Sequence, residues 1–319
     1  MLRHLNPYQG YSFDYAHGAY LYSPVVQGND GFLYGTTSGG GSGAAGVVFK
    51  LSTTGKITLL HQFDGGSTTD GATPFAGLVA ASDGNFYGAT SGGLKYGSVP
   101  NGNLFSVSSG TYALLYAFDS THGALAEATP MQHTNVKIYG VTTRGGGPQG
   151  GVLYSLDNNL PPFVNLMTGW GSAGQTVEIL GDGLTGTTGV KFGSGSASFF
   201  TVVSDTYMTA VVPTGGTTGF VTVATPSGTL TSNRQFKVVP VISNIAPTSG
   251  PVGTQVTITG SGFTGVTKVA FGGVKAVTYA FNSGTQIAAT VHAGAKSGTI
   301  AVTTPGGSAS SKATFTVTP

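Results

Sequence analysis

The chain has no cysteine, which excludes disulfides and thiolate metal sites and leaves the redox compartment open. Charge is scarce too: 8% of the 319 residues are charged, against about 25% in ordinary globular proteins. The 13 basic and 11 acidic residues stand singly, for a net charge of +2. No basic patch interleaved with aromatics forms, so nothing points to nucleic acid. No apolar run approaches the roughly 18 residues of a membrane span. The opening "MLRHLNPYQGYSF" has two basic residues without an apolar stretch behind them, which is not a secretory signal. A signal already removed, or a start inside a longer protein, is the expectation. Helix-favouring runs of Ala, Glu, Lys and Leu are missing as well.

Glycine fills the chain instead, with 54 residues. Thr, Val, Ser, Tyr and Phe lie between the glycines, which is the chemistry of strands and turns. An apolar fraction of 39% still supplies a core and argues against wholesale disorder.

The first half repeats. YGTT at residues 34–37 returns as YGAT at 87–90 and YGVT at 139–142, spacings of 53 and 52. Seventeen residues before each tyrosine stand His17, Asp70 and His122, each followed by Gly-Ala. Further upstream are Phe13-Asp14, Phe63-Asp64 and Phe118-Asp119. After each YG-x-T comes a glycine-rich stretch and then VFKL (48–51), LFSV (104–107) or LYSL (153–156). The run "SGGGSGAAG" is therefore a repeated turn. A phosphate loop would need Gly-Lys-Ser/Thr opening a helix, whereas Gly46 opens the strand-like VVFKL.

Each repeat reads as a four-stranded meander. In the second, 77–82 and 85–91 flank Asp83-Gly84, a hairpin dipeptide that tolerates positive φ, and 102–108 and 112–118 flank Ser109-Gly110. The first-repeat counterparts are 24–28, 32–38, 47–52 and 56–63. Four antiparallel strands in a unit of about 40–55 residues is the arithmetic of a β-propeller blade. The third repeat supplies three strands before Pro161 and Pro162, which cannot donate ladder hydrogen bonds. Residues 8–13 stand where a fourth strand belongs, so the N-terminus is expected to complete a blade. Three blades fall short of the usual range of about four to eight. Either two chains pool their blades in one ring, or the array is part of a longer one.

The stretches "DGFLYGTTSGGGSGAAGVVFKLSTTGK" (30–56) and "DGATPFAGLVAASDGNFYGATSGG" (70–93) resemble the glycine-rich GloVer tandem repeats of large bacterial surface and secreted proteins. The third copy departs from the pattern, with Thr134-Asn135 near the place of the Asp-Gly hairpin. The resemblance brings no catalytic residues with it and implies an extracellular scaffold.

From residue 177 to 228 the chain matches itself at a constant offset of 79, so that Val177, Gly181, Phe192 and Ala210 pair with Val256, Gly260, Phe271 and Ala289. Phe236 and Phe315 continue the register. Short alternating strands such as "QVTITGSGF" argue a small β-sandwich in each copy. The motif "ISNIAPTSGPVGTQVTITGSGF" (242–263), followed by "VAFGG" (269–273), resembles IPT/TIG domains, which are immunoglobulin-like modules. In the first copy Trp170 stands where the second has Ser249, and Val239-Pro240 is a short, stiff joint between the two.

Reactive groups are thinly spread. Histidines stand at 4, 17, 61, 122, 133 and 292. His17 and His122 share a repeat position with Asp70, which suits a structural bond to a turn better than a metal ligand or general base. Asp14, Asp64 and Asp119 form a quasi-symmetric set; they are read as turn caps rather than a cation site. Glu127 and Glu178, the only glutamates, fall in different predicted domains, against a paired-carboxylate mechanism. "GSGSA" at 193–197 lies in a sandwich hairpin, not on a nucleophile elbow. Tyr34, Tyr87 and Tyr139 are read as blade-packing residues rather than a sugar platform. Trp170 is left open between packing and ligand contact.

The expectation is an all-β chain of propeller-like four-stranded-meander repeats followed by two immunoglobulin-like β-sandwiches, divided at 1–160, 161–239 and 240–319. It is not an enzyme: no catalytic, cofactor-binding or metal-binding residue is assigned, no cofactor is implied, and ligand-binding residues are unknown. The first reading is an extracellular or cell-surface bacterial scaffold for adhesion or self-assembly into an oligomer or filament through incomplete blade edges. The alternative is a carbohydrate-binding protein with polysaccharide as partner, using Tyr96, Tyr207 or Trp170 as stacking platforms. A second alternative is a polysaccharide-active enzyme using acids such as Asp64 or Asp119.

Overall fold

The computed structural model describes residues 13–65, 70–92, 101–147, 150–276 and 278–319. Among them, strands and turns form and no helix does. The chain divides into two compact units, Met1–Pro161 and Pro162–Pro319.

In the first unit the repeats become sheets. β1 (Val26–Gln27), β2 (Leu33–Thr37), β3 (Val47–Leu51) and β4 (Ile57–Gln62) form an antiparallel meander in chain order. β5 (Val79–Ala80), β6 (Phe86–Ala89), β7 (Asn103–Ser108) and β8 (Thr111–Ala117) repeat it. β9 (Met131–Gln132), β10 (Ile138–Val141) and β11 (Leu153–Leu156) make a three-stranded sheet that ends ahead of the two prolines. Residues 8–12, expected to supply a fourth strand, lie outside the described residues. The first strands of the first two sheets are shorter than the sequence suggested. In the second repeat the Gly77 N–H donates to Thr129 Oγ1 of the third, so that end of the segment serves the junction between repeats instead of its own ladder.

The repeats share backbone detail. Gly31 and Gly84 sit at φ +83° in their hairpins, and Val136 takes the same place at φ +63°. All three N–H groups donate 3.0 Å to the carbonyl three residues back. The departing third copy thus keeps its turn by holding a β-branched residue in the left-handed region. Bridges Ala19–Gly39, Ala72–Gly92 and Ala124–Arg144 clip each Gly-Ala segment to the stretch after YG-x-T.

The apolar core of this unit runs between repeats. Tyr34 and Val48 pack with Leu78 and Phe86 of the second repeat, and Tyr34 stacks on Phe86 with ring centres 3.9 Å apart. Ala89 and Leu104 pack with Ala126 of the third.

The second unit holds two sandwiches in which the offset of 79 seen in the sequence is an offset in structure. Phe192 meets Phe236 edge-on at 5.0 Å, and Phe271 meets Phe315 at 5.5 Å. Each long hairpin carries a bulge whose freed N–H is taken by a buried serine: Val221 donates to Ser232 Oγ and Ile300 to Ser311 Oγ, both at 2.9 Å. The sheets differ at their first strand. Phe163–Leu166 pairs parallel with Gly228–Val238 and antiparallel with Thr176–Leu180, joining the layers into one curled sheet. In the second sandwich Val241–Ala246 pairs with Gln255–Ser261, and the layers stay apart as four and five strands. At the joint, a Cβ on Gly306 would collide with the Val238 carbonyl, so glycine permits that approach.

Candidate functional site

The hairpin residue before each positive-φ position grips the tyrosine of its own YG-x-T. Tyr34 donates to Asp30 Oδ2 at 2.7 Å and Tyr87 to Asp83 Oδ2 at 2.8 Å, while Asn135 Nδ2 donates to the Tyr139 hydroxyl at 2.9 Å. The turn aspartate therefore fixes an aromatic ring as well as a hairpin.

At the first of these pairs a cleft of about 580 Å3 opens, lined by Phe32, Tyr34, Lys50, Ser52 and Thr58 of the first repeat and Ser109 of the second. That size falls within the range of about 300–1,000 Å3 typical of small-molecule sites. Lys50 Nζ sits 2.7 Å from Asp30 Oδ2 and 4.0 Å from the centre of the Phe32 ring. Burial pushes the Asp30 carboxyl up, but hydrogen bonds from Lys50 and Tyr34 outweigh it and hold the group below its ordinary value. Burial, and then the bond to Asp30, raise the Tyr34 phenol; the bond to Asp30 raises the Lys50 ammonium. At neutral pH the cleft therefore presents a protonated phenol, an ammonium and a carboxylate beside an aromatic ring and a set of hydroxyls.

The second repeat closes the corresponding place. Asn158 Nδ2 donates to the Tyr87 hydroxyl at 2.9 Å, and Leu160 packs with Tyr87 and Ile138. The position of Lys50 is Ser106 in the second repeat and Ser155 in the third. A smaller, more apolar cleft of about 390 Å3 lies between the second and third repeats, lined by Leu104, Tyr116, Phe118, His122, Tyr154 and Leu156. The Tyr154 hydroxyl is buried there without a hydrogen-bond partner among the described residues, and burial pushes its phenol to about 12.

The residues singled out by sequence mostly hold turns. Asp14 Oδ1 accepts the His17 N–H at 2.8 Å and Asp119 Oδ1 accepts that of His122 at 2.7 Å, and each carboxylate also meets its histidine's Nδ1. The His17 side-chain bond, and for Asp119 the His122 backbone bond, hold both carboxyls below their ordinary value. In the second repeat Asp70 takes the histidine's place, accepting the Asp64 N–H at 2.6 Å and meeting His61 Nε2 at 2.6 Å. His133 Nδ1 accepts the Asn135 N–H within the third hairpin. Among the described residues no three His, Asp or Glu side chains gather as a metal set. Glu127 and Glu178 belong to different compact units, and Glu178 accepts from the Tyr207 hydroxyl at 3.0 Å. Tyr34 and Tyr87 are buried and Tyr139 half-buried. Trp170 is exposed on the two-residue strand Trp170–Gly171. His4 and Tyr96 lie outside the described residues.

Asp30, Phe32 and Lys50 were not singled out from the sequence. The available signal was a lysine in VFKL where the other copies have serine, in a chain with so few charges.

Residues 8–199 match the family model of the Gloeobacter/Verrucomicrobia repeat. The chain belongs to this repeat family. The match covers all three GloVer repeats and continues into the first sandwich, and residues 240–317 match the IPT/TIG domain. No curated relative matches. Solved structures similar to parts of the chain include SGBP-B from a xyloglucan utilization locus in Bacteroides uniformis, at 18% identity over 48% of this chain and 48% of that one, TM-score 0.25. The surface glycan-binding protein PbSGBP-B of Prevotella bryantii matches at 18% identity over 48% and 41%, TM-score 0.34. SGBP-B of the Bacteroides ovatus mixed-linkage glucan locus matches at 16% over 73% and 60%, TM-score 0.24. The chain spans about half the length, or less, of the first solved structures it matches. Likenesses this slight carry nothing from those proteins' ligands to this chain.

Proposed function

We propose that the protein is a non-enzymatic carbohydrate-binding scaffold of the bacterial cell surface, holding a polysaccharide segment in the cleft of its first repeat. The division at 1–160, 161–239 and 240–319 is part of this proposal: the repeats bind, and the sandwiches space them from their attachment. The observation that carries the reading is the open Asp30–Tyr34–Lys50 cluster beside Phe32, at a place the second repeat closes with Asn158 and Leu160. An aromatic ring flanked by fixed donors and acceptors suits a sugar, which has an apolar face and a rim of hydroxyls. Lys50 is a cation where the other repeats have Ser106 and Ser155, and its ammonium would favour glycans bearing carboxylates. Trp170, Tyr207 and Tyr96 are not needed for this site.

Affinity electrophoresis against soluble neutral glucans and uronate-containing polysaccharides tests the reading. Retardation by at least one polymer is expected, and Phe32→Ala and Lys50→Ala should each weaken it about tenfold or more. No retardation by any polymer, or retention undiminished in the double variant, overturns it. Adhesion and self-assembly remain proposals of their own, resting on the repeat faces rather than on this cleft.

A further inference from the structure

We propose that the third repeat of one chain packs against the first repeat of a second copy, head to tail, through the same face that joins the repeats inside the chain. Each internal junction uses an outgoing set of residues on one repeat and an incoming set on the next. The outgoing set includes the YG-x-T tyrosine, the x residue and the first residue of VFKL, LFSV or LYSL. At the last of these positions Val48 is 0% and Leu104 2% exposed, whereas Leu153 of the third repeat is 72% exposed. The x residue repeats the pattern: Thr36 and Ala89 are buried and Val141 is exposed. Tyr34 and Tyr87 are buried and Tyr139 is half-buried.

The incoming set shows the mirror of this. Pro74 and Ala126 are buried in the second and third repeats, and their first-repeat equivalent, Leu21, is 49% exposed. Leu78 and Pro130 are buried and Val25 is exposed. Phe86 and Ile138 are buried and Leu33 is half-buried. Among the described residues the third repeat thus leaves its outgoing face uncovered and the first its incoming face, both apolar, and the residue types that fill these positions inside the chain already fit one another. Exposed apolar faces of this kind mark contact sites.

The faces are different surfaces, so the contact between copies is heterologous and grows into a closed ring or an open filament. The register also places particular side chains. Tyr22 meets Phe75 edge-on at 5.2 Å across the first internal junction, and the third-repeat equivalent is Glu127. The same step across the intermolecular junction brings Glu127 of one copy to Tyr22 of the next.

Light scattering and sedimentation across a dilution series test the proposal with Leu153→Asp and Leu21→Asp. Both side chains are exposed, so circular dichroism should be unchanged in either variant. Wild type is expected at a multiple of the chain mass and each variant alone as monomer, with association weakened about tenfold or more by the buried charge. An equimolar mixture of the two variants retains one intact pair of faces and should stop at a dimer. A wild type that stays monomeric, or variants that keep the wild-type mass, would overturn the proposal. Leu153→Cys gives a single thiol in a chain without cysteine. A monomer in which that thiol resists labelling would assign the face to another segment of the same chain, and a freely labelled thiol in a monomer would leave it uncovered; both count against a second copy.

Discussion

The two halves of the chain both duplicate a small β unit of low charge, yet they distribute their cores in opposite ways. Each sandwich keeps its own: one cluster draws on residues from Val164 to Val238, the other on residues from Ile242 to Phe315. The repeats keep no core to themselves, since the clusters around Phe86 and Ala126 each join side chains from two neighbours. The reason lies in sheet geometry. A sandwich folds its two layers over one interior, whereas a single four-stranded meander has two faces and needs a neighbour on each to bury them. Duplicating a sandwich therefore adds a self-sufficient module, while duplicating a meander moves the uncovered faces outward without removing them.

A matched pair of truncations breaks or confirms this contrast with the largest expected effect. Phe105 is fully buried, with its ring 5.5 Å from Phe63 and 5.6 Å from Tyr112. Phe315 is as deeply buried beside Phe271. Each Phe→Ala change should cost about 3–5 kcal/mol. Hydrogen exchange separates the two cases. Phe105→Ala should lower amide protection in both β1–β4 and β5–β8, because its cluster includes Tyr34 and Val48 of the first repeat. Phe315→Ala should lower it within residues 240–319. Loss confined to the second repeat in the Phe105 variant would show that the repeats are independent after all.

Alkali sharpens the comparison by a smaller step. Burial, with the Asp83 hydrogen bond second, pushes the Tyr87 phenol from 10.0 to about 12, and burial alone does the same for Tyr154. A phenol with a raised folded-state pKa contributes stability that is complete below the unfolded value and is lost as pH rises through the folded one. The first unit should therefore lose stability between about pH 10 and pH 12. In the second unit Tyr207 is also raised, mainly by its bond to Glu178, but it is only half-buried and should matter less. Tyrosine absorbance and exchange protection followed along one pH titration check this, and Tyr87→Phe should flatten the loss in the first unit.

Much of this architecture was legible because glycines and aromatics recur in phase. YG-x-T and Asp-Gly located β2, β6 and their turns, and the offset of 79 ran through Phe192, Phe236, Phe271 and Phe315, which the structure brings together as two ring pairs. The serines that take the bulge N–H groups, Ser232 and Ser311, were not read from the sequence. The parallel pairing of Phe163 with Thr231 was not legible, since strand alternation says which side chains share a face and nothing about the neighbouring strand. The cleft was hidden for a related reason. Asp30, Phe32 and Lys50 occupy ordinary hairpin and strand positions, and only the closure of the second repeat by Asn158 and Leu160 shows that the first one is open. The unequal ends of the array were visible as a missing strand. Their complementary faces required burial to be compared at equivalent positions.

The smallest effect concerns the hairpin that the third repeat builds without glycine. Gly84 has open space where a Cβ would point, so a side chain there meets no steric obstacle, and Gly84→Val isolates the cost of its φ of +83°. A left-handed β-branched residue should cost about 1–2 kcal/mol. Val136 already bears that cost at φ +63°, offset in part by packing against the cluster that holds Ile138 and Leu160. Val136→Gly should consequently change stability by less than Gly84→Val does, because relieved strain and lost packing oppose each other. Denaturant midpoints of the two variants decide the matter. Equal and opposite shifts would mean that Val136 contributes no packing, and a loss from Val136→Gly as large as that from Gly84→Val would mean that its packing outweighs the turn.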